Sequence, residues 1–273
     1  MTRRAEVWLV NGALLAAAVL AVFPLAWMIS VSVMAPGEAS SSPPPLLPSA
    51  PTLASYRELF GRGAIARNLL NSTGLAVAAT LLSLAFNVTA GYAFAKLRFV
   101  GRDAVWKLLI GVMLIPAQVA MIPLFLMLKQ VGLVNTYLGV LIPSAGSVFG
   151  IFLVRQYALG IPDELLEAAR LDGAGELRIF WSIVLPVLRP VLVTLAMFAF
   201  LGSWNDFLWP LIMLTDDARQ TLPVGLAALA REHSGDSELM MAGAVITVVP
   251  ALALFLGLQR YYLQGLLAGS VKG

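Results

Sequence analysis

The chain has 273 residues, 59% of them hydrophobic and only 12% charged, with a mean hydropathy of +0.86; a soluble domain carries about a quarter charged residues, so a soluble globular protein is excluded. The absence of cysteine removes disulfide frameworks, thiolate metal sites and cysteine nucleophiles, and the lone histidine, His233 in "AREHSGDSE", cannot form a metal cluster. The net charge of +3 is scattered in short basic groups between apolar runs, which argues against nucleic acid and for residues that set membrane topology.

A helix crosses the ~30 Å hydrocarbon core in about 20 residues. Six runs of about that length carry few charges: residues 7–33, 69–95, 105–128, 137–154, 191–214 and 239–258. The expected fold is an all-α membrane protein of six transmembrane helices in a single domain spanning residues 1–273. The first run follows Arg3 and Arg4 as a signal peptide would, but it is far longer than the ~7 to 15 apolar residues of a cleaved segment, so it reads as a retained anchor. Residues 37–52, "GEASSSPPPLLPSAPT", are Ser- and Pro-rich and predict an extended external connection.

The second, third and fifth runs contain polar residues that are expensive in lipid: Asn87, Gln118, Asn205 and Asp206. They are candidates for a translocation path, with helix packing as the alternative role. Asp206 is expected about 16 residues into the fifth span, ~24 Å along it and near the outer interface. Trp204 and Trp209 beside it suit an aromatic belt there. Pro116, Pro123, Pro143, Pro210 and Pro250 predict kinks, and Pro143, Gly146 and Gly150 make the fourth run the least regular.

With the N-terminus inside, twelve of the eighteen Lys and Arg residues fall on the cytoplasmic side, which places both termini in the cytoplasm. Between the fourth and fifth runs lies the most charged stretch, "PDELLEAARLDGAGELRIFWSIVLP" (162–186), within a cytoplasmic loop of about residues 158–189. Pro162 suits the start of a helix, and Asp163 and Glu164 face the positive end of its dipole. Gly173 and Gly175 can end that helix, and Glu176 to Ser182 can form a second short one before Pro186 and Pro190 lead into the fifth span. The loop carries five acids against three arginines, the wrong sign for docking on anionic lipid, so it predicts a protein partner.

The order Glu167-Ala168-Ala169, three residues, Gly173, nine residues, Ile183-Val184-Leu185-Pro186 resembles the EAA loop of ABC importer permeases. "RNLLNSTGLAVAAT" (67–80), "GYAFAKLRFVGR" (91–102), "WNDFLWPLI" (204–212) and "GLLAGSVKG" (265–273) are similar to the carbohydrate branch, in particular its smaller, maltose-type second permease. The resemblance covers nearly the whole chain; Leu267 departs from it, at a place where a hydroxyl residue is common. It implies a type I ABC importer permease fold in the bacterial inner membrane. The EAA loop would be a coupling helix docked on a cytoplasmic ATPase, with Glu167, Ala168, Ala169 and Gly173 carrying the coupling. It also implies a second, non-identical permease, two ATPase subunits, an external substrate-binding protein and a carbohydrate substrate. No cofactor is expected in this chain. None of its four lysines follows a glycine, so no phosphate-cradling G-x-x-x-x-G-K-[ST] is present, and ATP would be bound by partner subunits. The C-terminal tail could insert at the ATPase surface.

Two rivals remain. An ion-coupled secondary carrier needs ionisable groups near the midplane or broken inverted repeats, and here Asp206 is the one clear intramembrane acid. A membrane-embedded enzyme needs a catalytic constellation that this composition lacks.

Overall fold

The computed structural model describes residues 3–61, 63–233 and 235–268, and the end of the C-terminal tail lies outside them. Among the described residues every regular element is helical: α1 (Arg3–Ser32), α2 (Ala54–Gly61), α3 (Ala64–Lys96), α4 (Arg102–Val112), α5 (Met121–Gln130), α6 (Tyr137–Ser144), α7 (Val148–Leu159), α8 (Asp163–Leu171), α9 (Glu176–Ile179), α10 (Leu185–Trp204), α11 (Leu208–Met213), α12 (Leu222–Glu232) and α13 (Ser237–Ala268), with single 3-10 and π turns between some of them. Among the described residues five stretches are long and apolar enough to cross a membrane: Glu6–Ser32, Ala64–Lys96, Tyr137–Leu159, Glu176–Trp204 and Ser237–Gln259. A sixth arises if the bent pair Arg102–Val112 and Ala117–Gln130 counts as one span.

That pair departs from the straight third span expected over residues 105–128. Its two arms meet at 97°. Leu114 and Ile115 already donate back only three residues, to Gly111 and Val112, and Pro116 then turns extended (φ −58°, ψ 131°). Proline has no N–H to continue the ladder and disfavours the α conformation in the residue before it, so the helix stops here.

The fifth span departs in the opposite sense. It was expected to begin near Val191 after a separate short helix, but the chain is helical without interruption from Glu176 to Trp204. A π turn at Phe180–Val184, in which the Leu185 N–H reaches Phe180 O, precedes Pro186, and Pro190 is carried inside α10. Such a turn shifts the hydrogen-bond register locally, and neighbouring packing holds a proline-containing helix together. The helix ends at Trp204, so Asp206 sits in the three-residue break before α11 and not within a span.

Two units are separable, residues 1–67 with 225–250 and residues 68–224 with 251–273. In the first, α1 keeps most of its apolar surface exposed, as a lipid-facing helix does, and buries Val31 and Ser32 only at its end, with Met34 buried just beyond it. The connection that follows is tied down by Thr52 N–H to Val33 O (2.8 Å), Tyr56 Oη–H to Ser32 Oγ (2.9 Å) and Ala39 N–H to the buried Glu238 carboxylate (2.8 Å). In the second unit one core gathers Val88 and Tyr92 of α3, Val154 and Ala158 of α7, Leu166 of α8, and Ile179 to Leu195 along the long helix. Another gathers Leu75, Leu128, Val140, Trp209, Met213 and Leu214.

Candidate functional site: a polar loop and a cavity on one helix

The polar loop is built on a short rigid frame. Gly91 of α3 packs directly on α7, where a Cβ would lie 2.6 Å from Val154 Cβ. Lys96, the last residue of α3, donates to both Ile161 O and Asp163 Oδ1 at 2.6 Å. The Lys96 side chain is 6% exposed, so this cation is committed to the start of α8. Its hydrogen bond and charge hold the Asp163 carboxyl below the usual aspartate range. α8 then ends in a Schellman turn: Ala174 N–H reaches Ala169 O, Gly173 N–H reaches Arg170 O, and Gly173 takes φ +83°. The Arg170–Glu176 ion pair, 2.7 Å, closes across the turn.

This frame sorts the four expected coupling residues. Leu166 is the buried anchor of α8, and Ala169 is half-buried against the same core. Glu167 and Ala168 point outward and are exposed. Glu164, Ala168 and Leu171, spaced i, i+4 and i+7, share an exposed face, with Leu171 90% exposed. The two alanines thus have different surroundings, a difference that adjacency in the sequence cannot reveal. Leu171 and Lys96 were not singled out from the sequence. Lys96 looked like one more topology charge, because its partners lie 65 and 67 positions away.

At the other end of the helix that begins at Glu176 is a cavity of about 490 Å³. Gln118 lines it from the turn before α5, Ser144 as the last residue of α6, Ser147 from the break that follows, and Ser203 and Asp206 from the end of α10 and beyond. Phe149 and Phe198 meet edge to face at 5.8 Å on its wall. Asp206 accepts from Trp209 N–H at 3.4 Å, and Trp209 Nε1–H donates to Gly139 O at 3.2 Å, which fastens α11 to α6. Gly139 has no room for a side chain, since a Cβ would strike Leu133 O and Met213 Cε.

Of the other two candidate path residues, Asn205 is exposed and does not line the cavity. Asn87 is fully buried behind it. Its Oδ1 accepts from Ser147 N–H (2.9 Å) and its Nδ2 donates to Ser83 Oγ (2.7 Å) and Ser147 Oγ (3.4 Å). Ser147 Oγ in turn caps α7 by accepting from Gly150 N–H at 2.9 Å. Asn87 therefore replaces the backbone bonds lost where α6 and α7 separate.

A model of the binding-protein-dependent transport system inner membrane component family matches residues 87–267. This chain belongs to that family. The permease is 38% identical over 269 residues to the arabinooligosaccharides transport system permease protein AraQ of Halalkalibacterium halodurans, covering 97% of this chain and 96% of the relative. It is 34% identical over 253 residues to the melibiose/raffinose/stachyose import permease protein MelC of Bacillus subtilis, covering 92% and 91%. Among solved structures it resembles a chain of a bacterial ABC transporter involved in the import of the acidic polysaccharide alginate, with TM-score 0.85, 25% identity, and coverage of 96% of this chain and 99% of that one.

The permease is thus a multi-pass inner-membrane subunit of an ABC importer, a transport component without an ATPase of its own. Membership implies an ATPase, a substrate-binding protein and a second permease as partners.

Proposed function

We propose that the permease forms half of a translocation pathway for a carbohydrate and transmits ATPase closure to that pathway through residues 158–189. The oligosaccharide substrates named for the similar permeases support the substrate class. The observation that carries the coupling role is the uninterrupted helix from Glu176 to Trp204: the polar loop is fused to one end and the cavity residues Ser203 and Asp206 lie at the other. Twenty-nine helical residues span roughly 43 Å, more than the hydrocarbon core. Packed helices move as rigid bodies, so a push on α8 is felt at the cavity.

In this reading Glu167 makes a polar contact with the ATPase and Ala168 admits its surface closely. Ala169 keeps α8 seated on the core and Gly173 shapes the turn. The loop faces the cytoplasm with both termini, as the distribution of Lys and Arg favours. The partners are a second, non-identical permease, two ATPase subunits and an external binding protein.

The test is purification of the tagged permease from its native membrane, followed by reconstitution in vesicles. An ATPase pair and a second permease should accompany it, and carbohydrate uptake should require ATP inside or around the ATPase face. Uptake by the permease alone, driven by a proton or sodium gradient, would overturn the assignment.

A further inference from the structure

We propose that the cavity beside α10 contacts the substrate directly and selects uncharged, polyhydroxylated ligands over anionic ones. This rests on the reading of the permease as half of a carbohydrate path. The volume, about 490 Å³, falls within the ~300 to 1,000 Å³ of small-molecule sites. Among the described residues that line it there is no lysine, arginine or histidine, and Asp206 is the one ionisable side chain. An anionic group entering would lose its water with no cation to replace it and with a carboxyl group nearby, a combination that disfavours its entry in low dielectric.

A neutral sugar meets suitable chemistry on the same wall. Its hydroxyls need both donors and acceptors. Asp206, held half-buried in the break by Trp209 N–H, supplies a carboxyl acceptor. Gln118, which is exposed to the cavity, offers an amide carbonyl and an NH2 group. Ser144 gives its hydroxyl hydrogen to Leu141 O (2.8 Å), leaving its oxygen as an acceptor toward the cavity. The apolar C–H face of a pyranose has the Phe149 and Phe198 rings to lie against.

The polar groups also come from three separately broken helices: the turn after Pro116, the α6–α7 break and the α10–α11 break. Each break has its own internal bonds, from Gly111 and Val112 carbonyls, from Asn87 and Ser147, and from Asp206 itself. Irregular backbone at the depth of the membrane is tolerated where it lines a cavity, and here all three irregular segments converge on one.

The experiment uses the complete importer in proteoliposomes, comparing the permease with its Asp206→Asn and Gln118→Leu variants. The probes are neutral arabino- and malto-oligosaccharides and a uronate oligosaccharide of equal length. Uptake is measured with the binding protein, and ligand binding to the membrane complex is measured without it. We expect the wild type to bind the neutral probes at least tenfold more tightly than the uronate, and each variant to raise the KM for neutral uptake about tenfold while ATPase assembly stays intact. Among the described residues the Gln118 side chain has no hydrogen-bond partner, and its backbone carbonyl bond to Met121 N–H survives substitution, so its variant keeps the test sound if the Asp206 variant misfolds. Equal binding of the uronate, or ATP-driven neutral uptake with an unchanged KM in both variants, would overturn the inference while the permease reading stands. Failure of the wild-type importer to move any carbohydrate under ATP would remove the carbohydrate reading and this inference together.

Discussion

Lys96 and Asp163, 67 positions apart, meet at 2.6 Å and join the end of α3 to the first residue of α8. The lysine is nearly buried while the aspartate is 73% exposed, and the same ammonium also binds the Ile161 carbonyl. Removing the two partners should therefore have unequal effects. Lys96→Met leaves a part-buried carbonyl without its donor, which costs about 1 to 3 kcal/mol. It should lower the thermal midpoint of the purified permease by several degrees and reduce ATP-driven uptake. Asp163→Asn should change the midpoint little, because exposed ion pairs contribute little. Equal losses in the two variants would show that the ion pair, and not the carbonyl bond, holds the loop.

Gly173 offers a clean conformational test. Its φ is +83° and a Cβ there would meet nothing within 4 Å, so any penalty comes from the backbone alone. Gly173→Ala should cost about 1 to 2 kcal/mol and Gly173→Asn less, since asparagine tolerates the left-handed region. Uptake should fall in the order Gly, Asn, Ala, Val, while the permease still reaches the membrane. Uptake that ignores this order would mean the turn is not part of the transmission.

The two alanines of α8 should separate stability from function. Ala169→Leu pushes bulk into the core against which Ala169 packs and should lower the thermal midpoint, because overpacking costs typically 1 to 3 kcal/mol. Ala168→Leu alters only an exposed position and should leave the midpoint unchanged while blocking ATPase docking. Glu167→Ala should behave like the second. Pull-down of the ATPase and a thermal scan on each variant decide the matter; a stable Ala168→Leu permease that still docks would sink the assigned surface.

Asn87 and Gly150 are coupled sterically as well as by bonding. A Cβ on Gly150 would lie 2.5 Å from Asn87 Nδ2 and 2.7 Å from Ser147 Oγ. Gly150→Ala should thus displace the amide that satisfies Ser147 N–H, and Asn87→Ala should leave that N–H unpaired. Each single change is expected to cost about 1 to 3 kcal/mol, and the double variant clearly less than their sum. Simple additivity in thermal midpoints would mean that the clamp does not act as a unit.

Long apolar runs with few charges determined by themselves that this is a helical membrane protein, since the hydrophobic stretch needed to cross a bilayer is a property of local sequence. The helix that starts after Pro162 and ends at Gly173 was likewise legible, because a helix start and a left-handed glycine are local preferences. The tertiary structure decided what local preference cannot encode. Pro116 broke the expected third span whereas Pro186 and Pro190 broke nothing, because the fate of a proline depends on what neighbouring segments supply for the lost bond. Of four polar residues that looked alike in the sequence, Gln118 and Asp206 line the cavity, Asn87 fastens a helix break behind it, and Asn205 is exposed outside its lining. All four are polar interruptions of apolar runs, and Asn87 is told apart from the others by a partner, Ser147, 60 residues distant.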